Sequence, residues 1–292
     1  MEAKLIIGKI PYANLFPLYY YLERKCDSSN YKFIKGVPST LNKMLRKGKI
    51  DVSPSSSIEY LKHKDKYSII PWLSISSSGH VGSIFLFSNL PLEALNKKTI
   101  GVSSHSDTSV VLLKIILKDF LSLNCKLSKV NSGSLKKILS SFPACLLIGD
   151  QAMREAKKTV RRKALSVKRK TNNSALNSSL ITHRSSLYIY DLGELWFKHT
   201  GLPFVFALWI VRKKTLKEKE QLVKKLSLDL INAKEYASKK LSLIAKEAPQ
   251  KKWLSEKGLV NYWKGISYDF TDKHLEGLRL FEKYALKSKF KS

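Results

Sequence analysis

Short apolar, β-branched runs recur along this chain. Each ends in a loop of Ser, Gly, Asn or Pro and leads into a stretch of helical periodicity. Lys4–Ile10 (KLIIGKI) reads as a buried strand, followed by a turn and a helix over Leu15–Arg24. Phe33–Val37 reads as a second strand, and Pro38-Ser39-Thr40 after it suits the cap and first turn of a helix. IDVSPSSSIEYL reads as strand, Ser/Pro loop and helix; Val81–Ser88, Thr99–Ser103, Ala144–Ile148 and Leu202–Arg212 read as further strands. Helical periodicity runs from Leu216 to Leu254 and again over Asp272–Ala285. Strand–loop–helix units at this spacing predict an α/β fold with parallel strands.

The loops at the strand ends are the places where chemistry is expected. Five stand out: Tyr12-Ala13-Asn14, Pro38-Ser39, Ser53–Ser57, Ser76–Gly79 with Ser83, and Ser103–Ser109. In open α/β sheets ligands bind beyond the carboxyl ends of the strands, where helix N-termini present free N–H groups to anions. Each loop alone is explained as a helix cap, since Ser and Asn favour that position. Five in one chain point to a cleft for a small anion.

Standard catalytic patterns are missing. The sequence holds no GxSxG elbow, GxGxxG fingerprint, Walker loop or HExxH motif. Its six histidines share no metal-ligand spacing, and Cys26, Cys125 and Cys145 form neither a CxxC nor a disulfide framework, so no metal site is expected. The cysteine usage suits a reducing compartment, and no secretory pattern opens the chain, so a cytoplasmic protein is expected. Asp191 and Glu194, in YDLGELW, fit either an acid–base pair or a helix cap with a first-turn acid. No apolar run reaches the roughly 20 residues of a membrane span.

The 53 Lys+Arg against 23 Asp+Glu give a net charge of +30, which first suggests nucleic acid. Only nine of those cations are arginine, however, and the lysines are spread over the whole chain, so no specific nucleic-acid partner is expected. Residues 154–187 combine ten Lys+Arg and one acid with a Ser/Asn tract, and read as a mobile surface insertion.

The motifs GKIPYANLFPLYYYL, GVPSTLNKMLRKGKIDVSPSSSIEYL and SIIPWLSISSSGHVGSIFLFSNLPLEAL resemble the chorismate dehydratases of menaquinone biosynthesis by the futalosine pathway. SHSDTSVVLLKIIL, LLIGDQAM, YDLGELWFKHTGLPFVFALWIVR and YDFTDKHLEGLRLFEKYA follow in the same order. The basic insertion and the heavy lysine load depart from the family pattern. The paralogous 1,4-dihydroxy-6-naphthoate synthase shares the fold but opens with a different Ser/Pro/Cys-rich loop.

The resemblance implies a two-lobed fold of the type II periplasmic-binding-protein kind, with the ligand cleft between the lobes. One lobe would hold 1–84 and 210–292 and the other 85–209, with crossovers near Ser83–Ser88 and Phe204–Arg212. It further implies conversion of chorismate to 3-[(1-carboxyvinyl)oxy]benzoate and water, without metal or organic cofactor. Two other functions compete: a cytosolic, non-catalytic binding protein for an anionic metabolite, and the paralogous synthase. Nothing in the sequence speaks to oligomeric state.

On that reading Asn14 orients the substrate and Ser83 positions its reacting end. The matching loops offer no evident His, Lys or carboxylate base, so the substrate's own enolpyruvyl carboxylate would take the proton. Ser39, Ser55, Ser56, Ser57, Ser77, Gly79, Ser106, Thr108 and Ser109 are the candidates for carboxylate and hydroxyl contacts. Gly149, Leu202, Pro203 and Phe204 would line the far lobe or hinge. Asp150, negatively charged, and Trp209 are expected to be structural.

Overall fold

The computed structural model describes residues 4–103, 107–130, 133–172 and 187–287. Strands β1 (Leu5–Lys9), β2 (Tyr31–Lys35), β3 (Val52–Ser56), β4 (Tyr67–Ser77), β10 (Phe204–Arg212) and β11 (Ser267–Asp269) form a six-stranded sheet in the order β11-β4-β10-β3-β1-β2. A five-stranded sheet, β7-β6-β8-β5-β9, is built from β5 (Ile84–Ser88), β6 (Thr99–Ser103), β7 (Lys126–Val130), β8 (Ala144–Ile148) and β9 (Tyr188–Asp191). β1 runs parallel to β2 and β3, and β6 parallel to β7 and β8; β5 and β10 run antiparallel to both of their neighbours.

The first sheet carries α1 (Phe16–Arg24), α2 (Pro38–Arg46) and α3 (Ser57–Lys62) between its strands. The second carries α4 (Asp107–Ile115), α5 (Leu135–Leu139), α6 (Gly149–Asn172) and α7 (Leu192–Thr200). After β10 come α8 (Lys213–Glu218), α9 (Glu220–Glu247), α10 (Lys251–Leu254), α11 (Glu256–Lys264) and α12 (Asp272–Lys287). α9 packs on α1 and α11, and α12 packs on β10 and reaches across to α4. Among the described residues no helix is long and apolar enough to cross a membrane.

The chain leaves the first sheet after Ser77 and enters the second at Ile84; it returns between Thr200 and Phe204. This corrects the boundary expected from sequence. Residues 204–209 belong to the first sheet, because β10 pairs along its length with β3 and β4. Phe204 and Trp209 are fully buried there, with Phe204 against Trp196, Phe206 and Phe281, and Trp209 against Tyr19.

Three other elements differ from the sequence reading. Ser53–Ser56, expected as a loop, is strand. Ser and Pro have low β-propensity, but β3 pairs with β1 at Val52 alone and with β10 from Val52 to Ser56, so Pro54 sits where no β1 ladder is required. Tyr67–Ser77 is an unrecognised strand interrupted by a bulge. Ile69 faces Ile210 and Ser74 faces Leu208, which loops out Pro71 and Trp72, the latter at φ 64°. The segment 154–172, expected to be part of an irregular insertion, continues α6; residues 173–186 of that insertion lie outside the described residues.

Candidate active site

A cleft of ≈ 760 Å³, counted out to its open mouth, lies where loops of the two sheets meet. It sits beyond the carboxyl ends of β1, β3 and β8, where α/β sheets place ligands. From the first sheet come Ile10, Tyr12, Asn14 and Leu15 after β1, Pro38, Ser39 and Asn42 on α2, Pro54 and Ser56 on β3, Ile75 on β4, and Phe206 and Ala207 on β10. The second sheet contributes Ser83 and Ile84, Asp107 and Ser109 at the start of α4, and Ile148 and Gly149 after β8.

The turn that carries Asn14 is held from three directions. Ala13 N donates to Asp150 Oδ1 at 3.0 Å, Trp263 Nε1 donates to Ala13 O at 2.7 Å, and Tyr268 Oη donates to Asn14 O at 2.6 Å. Asp150 also accepts from Gln250 Nε2 at 3.3 Å. Asp150 therefore has a structural role, as expected, but through a tie between the two lobes rather than a cap. Burial raises its pKa above the ordinary carboxylate value, opposed by the hydrogen bond from Ala13. The Asn14 backbone is thus fixed while its Oδ1 is buried without a hydrogen-bond partner.

Ser83 is 4% exposed, shares a side-chain hydrogen bond with Tyr262 of α11, and accepts Gly149 N on its carbonyl at 2.7 Å. Burial pushes the Tyr262 phenol far up, so it stays protonated. Tyr12 is also raised, by burial first and then by Asp150, and remains a neutral donor on the cleft wall. Its ring lies against Gly149, which is at φ 63°; a Cβ there would sit 3.3 Å from the ring. Among the described residues, no Lys, Arg or His lines the cleft. An anion in this cleft would be held by hydroxyls, amides, phenols and the first-turn N–H groups of α2 and α4.

Six of the expected site residues line the cleft: Asn14, Ser39, Ser56, Ser83, Ser109 and Gly149. The others among the described residues are not on the cleft wall. Ser55 is fully buried and alternates with Pro54 and Ser56, which take the cleft face of β3. Ser57 donates to Val205 O, and Thr108 Oγ1 accepts Ile58 N at 3.1 Å, so both hydroxyls pin backbone. Ser77 donates to Gly79 O at 2.9 Å inside the crossing segment. Leu202 and Pro203 pack on α12, where a Cβ on Gly277 would stand 2.1 Å from Pro203 O. Phe204 is a core residue, and Phe206 and Ala207 take the wall position instead. Ser106 lies outside the described residues.

Sequence reasoning missed Asn42, Asp107 and Phe206. Asp107 places a carboxylate on the cleft wall. The Asp191–Glu194 motif is a helix cap: Asp191 accepts from Gly193 N and Glu194 N at the start of α7. Among the described residues no group of three His, Cys, Asp or Glu could hold a metal ion.

A family profile described as menaquinone biosynthesis matches residues 5–287, covering both sheets and every wall of the cleft. The chain belongs to this menaquinone-biosynthesis family. Two relatives share 31% identity with it: the chorismate dehydratase of Thermus thermophilus over 71% of this chain and 70% of that protein, and that of Campylobacter jejuni over 76% and 73%. The fold of this family member is shared with solved structures at low identity. Protein AF1704 of Archaeoglobus fulgidus aligns at TM-score 0.74 and 14% identity over 98% of both chains. The alkanesulfonate-binding protein SsuA of Xanthomonas axonopodis pv. citri aligns at TM-score 0.65 and 13% identity, over 99% of this chain and 94% of that one. The two-lobed, periplasmic-binding-protein-like architecture expected from the sequence is therefore the fold observed.

Proposed function

We propose that this protein is a chorismate dehydratase, a lyase that converts chorismate to 3-[(1-carboxyvinyl)oxy]benzoate and water on the futalosine route to menaquinone. The observation that carries the reading is the fixed Asn14 turn, which brings a residue with an unpaired amide oxygen to a cleft whose described residues supply hydroxyls and no fixed cation. The two relatives named chorismate dehydratase support it, and the unpaired thiols of Cys26, Cys125 and Cys145 fit a cytoplasmic enzyme.

The chemistry needs little from the protein beyond placement. The C3 hydrogen of chorismate is acidic through the conjugated ring carboxylate. Its removal sends the C–H electron pair into the ring, the C4–O bond breaks with its pair, and the ring becomes aromatic. Asn14 orients the substrate and Ser83, backed by Tyr262, positions the reacting end. The enolpyruvyl carboxylate takes the C3 proton and passes it to the departing C4 hydroxyl, which leaves as water. A neutral amide is a poor proton acceptor, and proximity in the cleft supplies the rate. Ser39, Ser56, Ser109, Tyr12 and the helix N–H groups share the two carboxylates.

The test is to incubate EDTA-treated protein with chorismate and follow products by chromatography and mass spectrometry. An aromatic product lighter by one water is expected, with turnover slowed about 100-fold or more in Asn14→Ala. Chorismate-dependent thermal stabilisation without turnover would instead make this a binding protein on the same fold. Asn14→Asp with full activity and an unchanged pH profile would remove the orienting amide from the mechanism.

A further inference from the structure

Asn42 is 5% exposed and lines the cleft from α2. Its Nδ2 donates to Ser56 Oγ at 3.4 Å, and its Oδ1 is buried with no partner. Leaving a buried acceptor unpaired is costly unless something else fills the role, and the residue that carries this one lines the cleft. An amide oxygen only accepts. It is repelled by a carboxylate and pairs with an O–H or N–H of whatever occupies the cleft.

Of the groups on the substrate proposed above, the two carboxylates and the ether oxygen are acceptors. The C4 hydroxyl, the group expelled in the reaction, is the single donor. We propose that Asn42 is the residue that reads this hydroxyl: Oδ1 accepts a hydrogen bond from it and so fixes the leaving group. The inference rests on the chorismate dehydratase reading and deepens it. Ser56 completes the arrangement. Because its oxygen accepts from Asn42 Nδ2, its own proton is free to point at the ligand. When the hydroxyl leaves as water it carries two O–H bonds, and Asn14 Oδ1 is the second buried, unpaired acceptor in the same cleft. Each O–H then has one amide oxygen to meet it.

The reaction product makes the test clean, because it keeps both carboxylates and lacks the hydroxyl. For the parent, Asn42→Ala and the near-isosteric Asn42→Leu, kcat/KM for chorismate and the Kd of 3-[(1-carboxyvinyl)oxy]benzoate would be measured side by side. The expected result is a roughly 10- to 100-fold fall in kcat/KM, with product affinity changed less than about threefold. Retained product affinity also reports that each variant is folded. Equal losses for substrate and product in Asn42→Leu would overturn the proposal, since Asn42 would then hold a carboxylate or merely shape the wall. Parental kcat/KM in either variant would overturn it as well. If the parent itself neither turns chorismate over nor binds the product, the dehydratase reading fails and this inference falls with it.

Discussion

Asp107 brings a carboxylate to the wall of a cleft that, among the described residues, has no Lys, Arg or His. If the substrate's enolpyruvyl carboxylate takes the proton, Asp107 acts on the bound dianion only as a like charge. Asp107→Asn then lowers KM by a few-fold, in keeping with an interaction of about 1 kcal/mol at a solvated site, and leaves kcat within about threefold. Steady-state kinetics at two ionic strengths check this, because the KM effect shrinks as salt screens it. A variant slowed about 100-fold or more at saturating substrate would make Asp107 the general base. At this scale the sequence was legible in part. Asn14 and Ser83 stood in motifs that could be matched. Asn42 stands in such a motif too but was passed over, because a polar residue inside an amphipathic helix is read as surface. The signal was available: Asn42 lies three residues after Ser39, so the two share a face of α2. Ser57 and Thr108 misled because a hydroxyl at a strand end can serve a ligand or a neighbouring backbone group equally well, and sequence does not show which is within reach.

Among the elements, the junction of α7 with the segment that leaves β4 is tightly packed. A Cβ on Gly193 would lie 2.5 Å from Gly79 O and 2.8 Å from Ser77 Oγ, both held by their own hydrogen bond. Neither is the free end of a flexible side chain, so backbone must move to admit a methyl. Gly193→Ala is expected to cost about 1–3 kcal/mol, as overpacking does, and to lower Tm by several degrees in a thermal melt. An unchanged Tm would show that the helix start can shift without loss. The elements also show what periodicity reveals and what it hides. β1, β6 and β8 are short apolar runs in parallel pairings and were plain in the sequence. β3 and β4 were hidden because Ser53-Pro54-Ser55 and Pro71-Trp72 break the local pattern. Both are strands because their neighbours supply the ladder: β10 holds β3 along its length, and β10 with β11 spans the bulge in β4.

Across the whole molecule, the two lobes are joined at the segment 78–83, and a single carboxylate organises it. Asp191, 4% exposed, accepts from Val81 N at 3.1 Å and from Gly82 N at 2.7 Å while capping α7. His80 Nδ1 lies 2.9 Å from the same carboxylate. That hydrogen bond raises the His80 pKa above its ordinary value, against the opposing effect of burial, with Glu194 adding a smaller push in the same direction. A histidine that is easier to protonate when folded contributes stability that is full below its unfolded pKa of about 6.5 and is lost as pH rises through the raised folded value. The parent should therefore be more thermostable than His80→Gln at pH 5.5, and the gap should close towards pH 9. A Tm difference that stays constant over that range would show that His80 contributes by packing alone.

Taken alone, the sequence determined the class of the fold and the family, and it singled out loops that line the cleft. These depend on local patterns: apolar β-branched runs, small-residue loops at their ends, and motifs kept in order along the chain. Only the tertiary structure decided which hydroxyls reach the cleft, that Phe204 and its neighbours to Trp209 belong to the first sheet, and that Asn14 and Asn42 each leave an acceptor unpaired there. The reason is physical. A side chain's direction follows from its element, but its partner comes from another part of the chain: Asp150 for Ala13, Trp263 for the same residue, Tyr268 for Asn14. Those pairings join residues more than a hundred positions apart, and they exist only once the chain has folded.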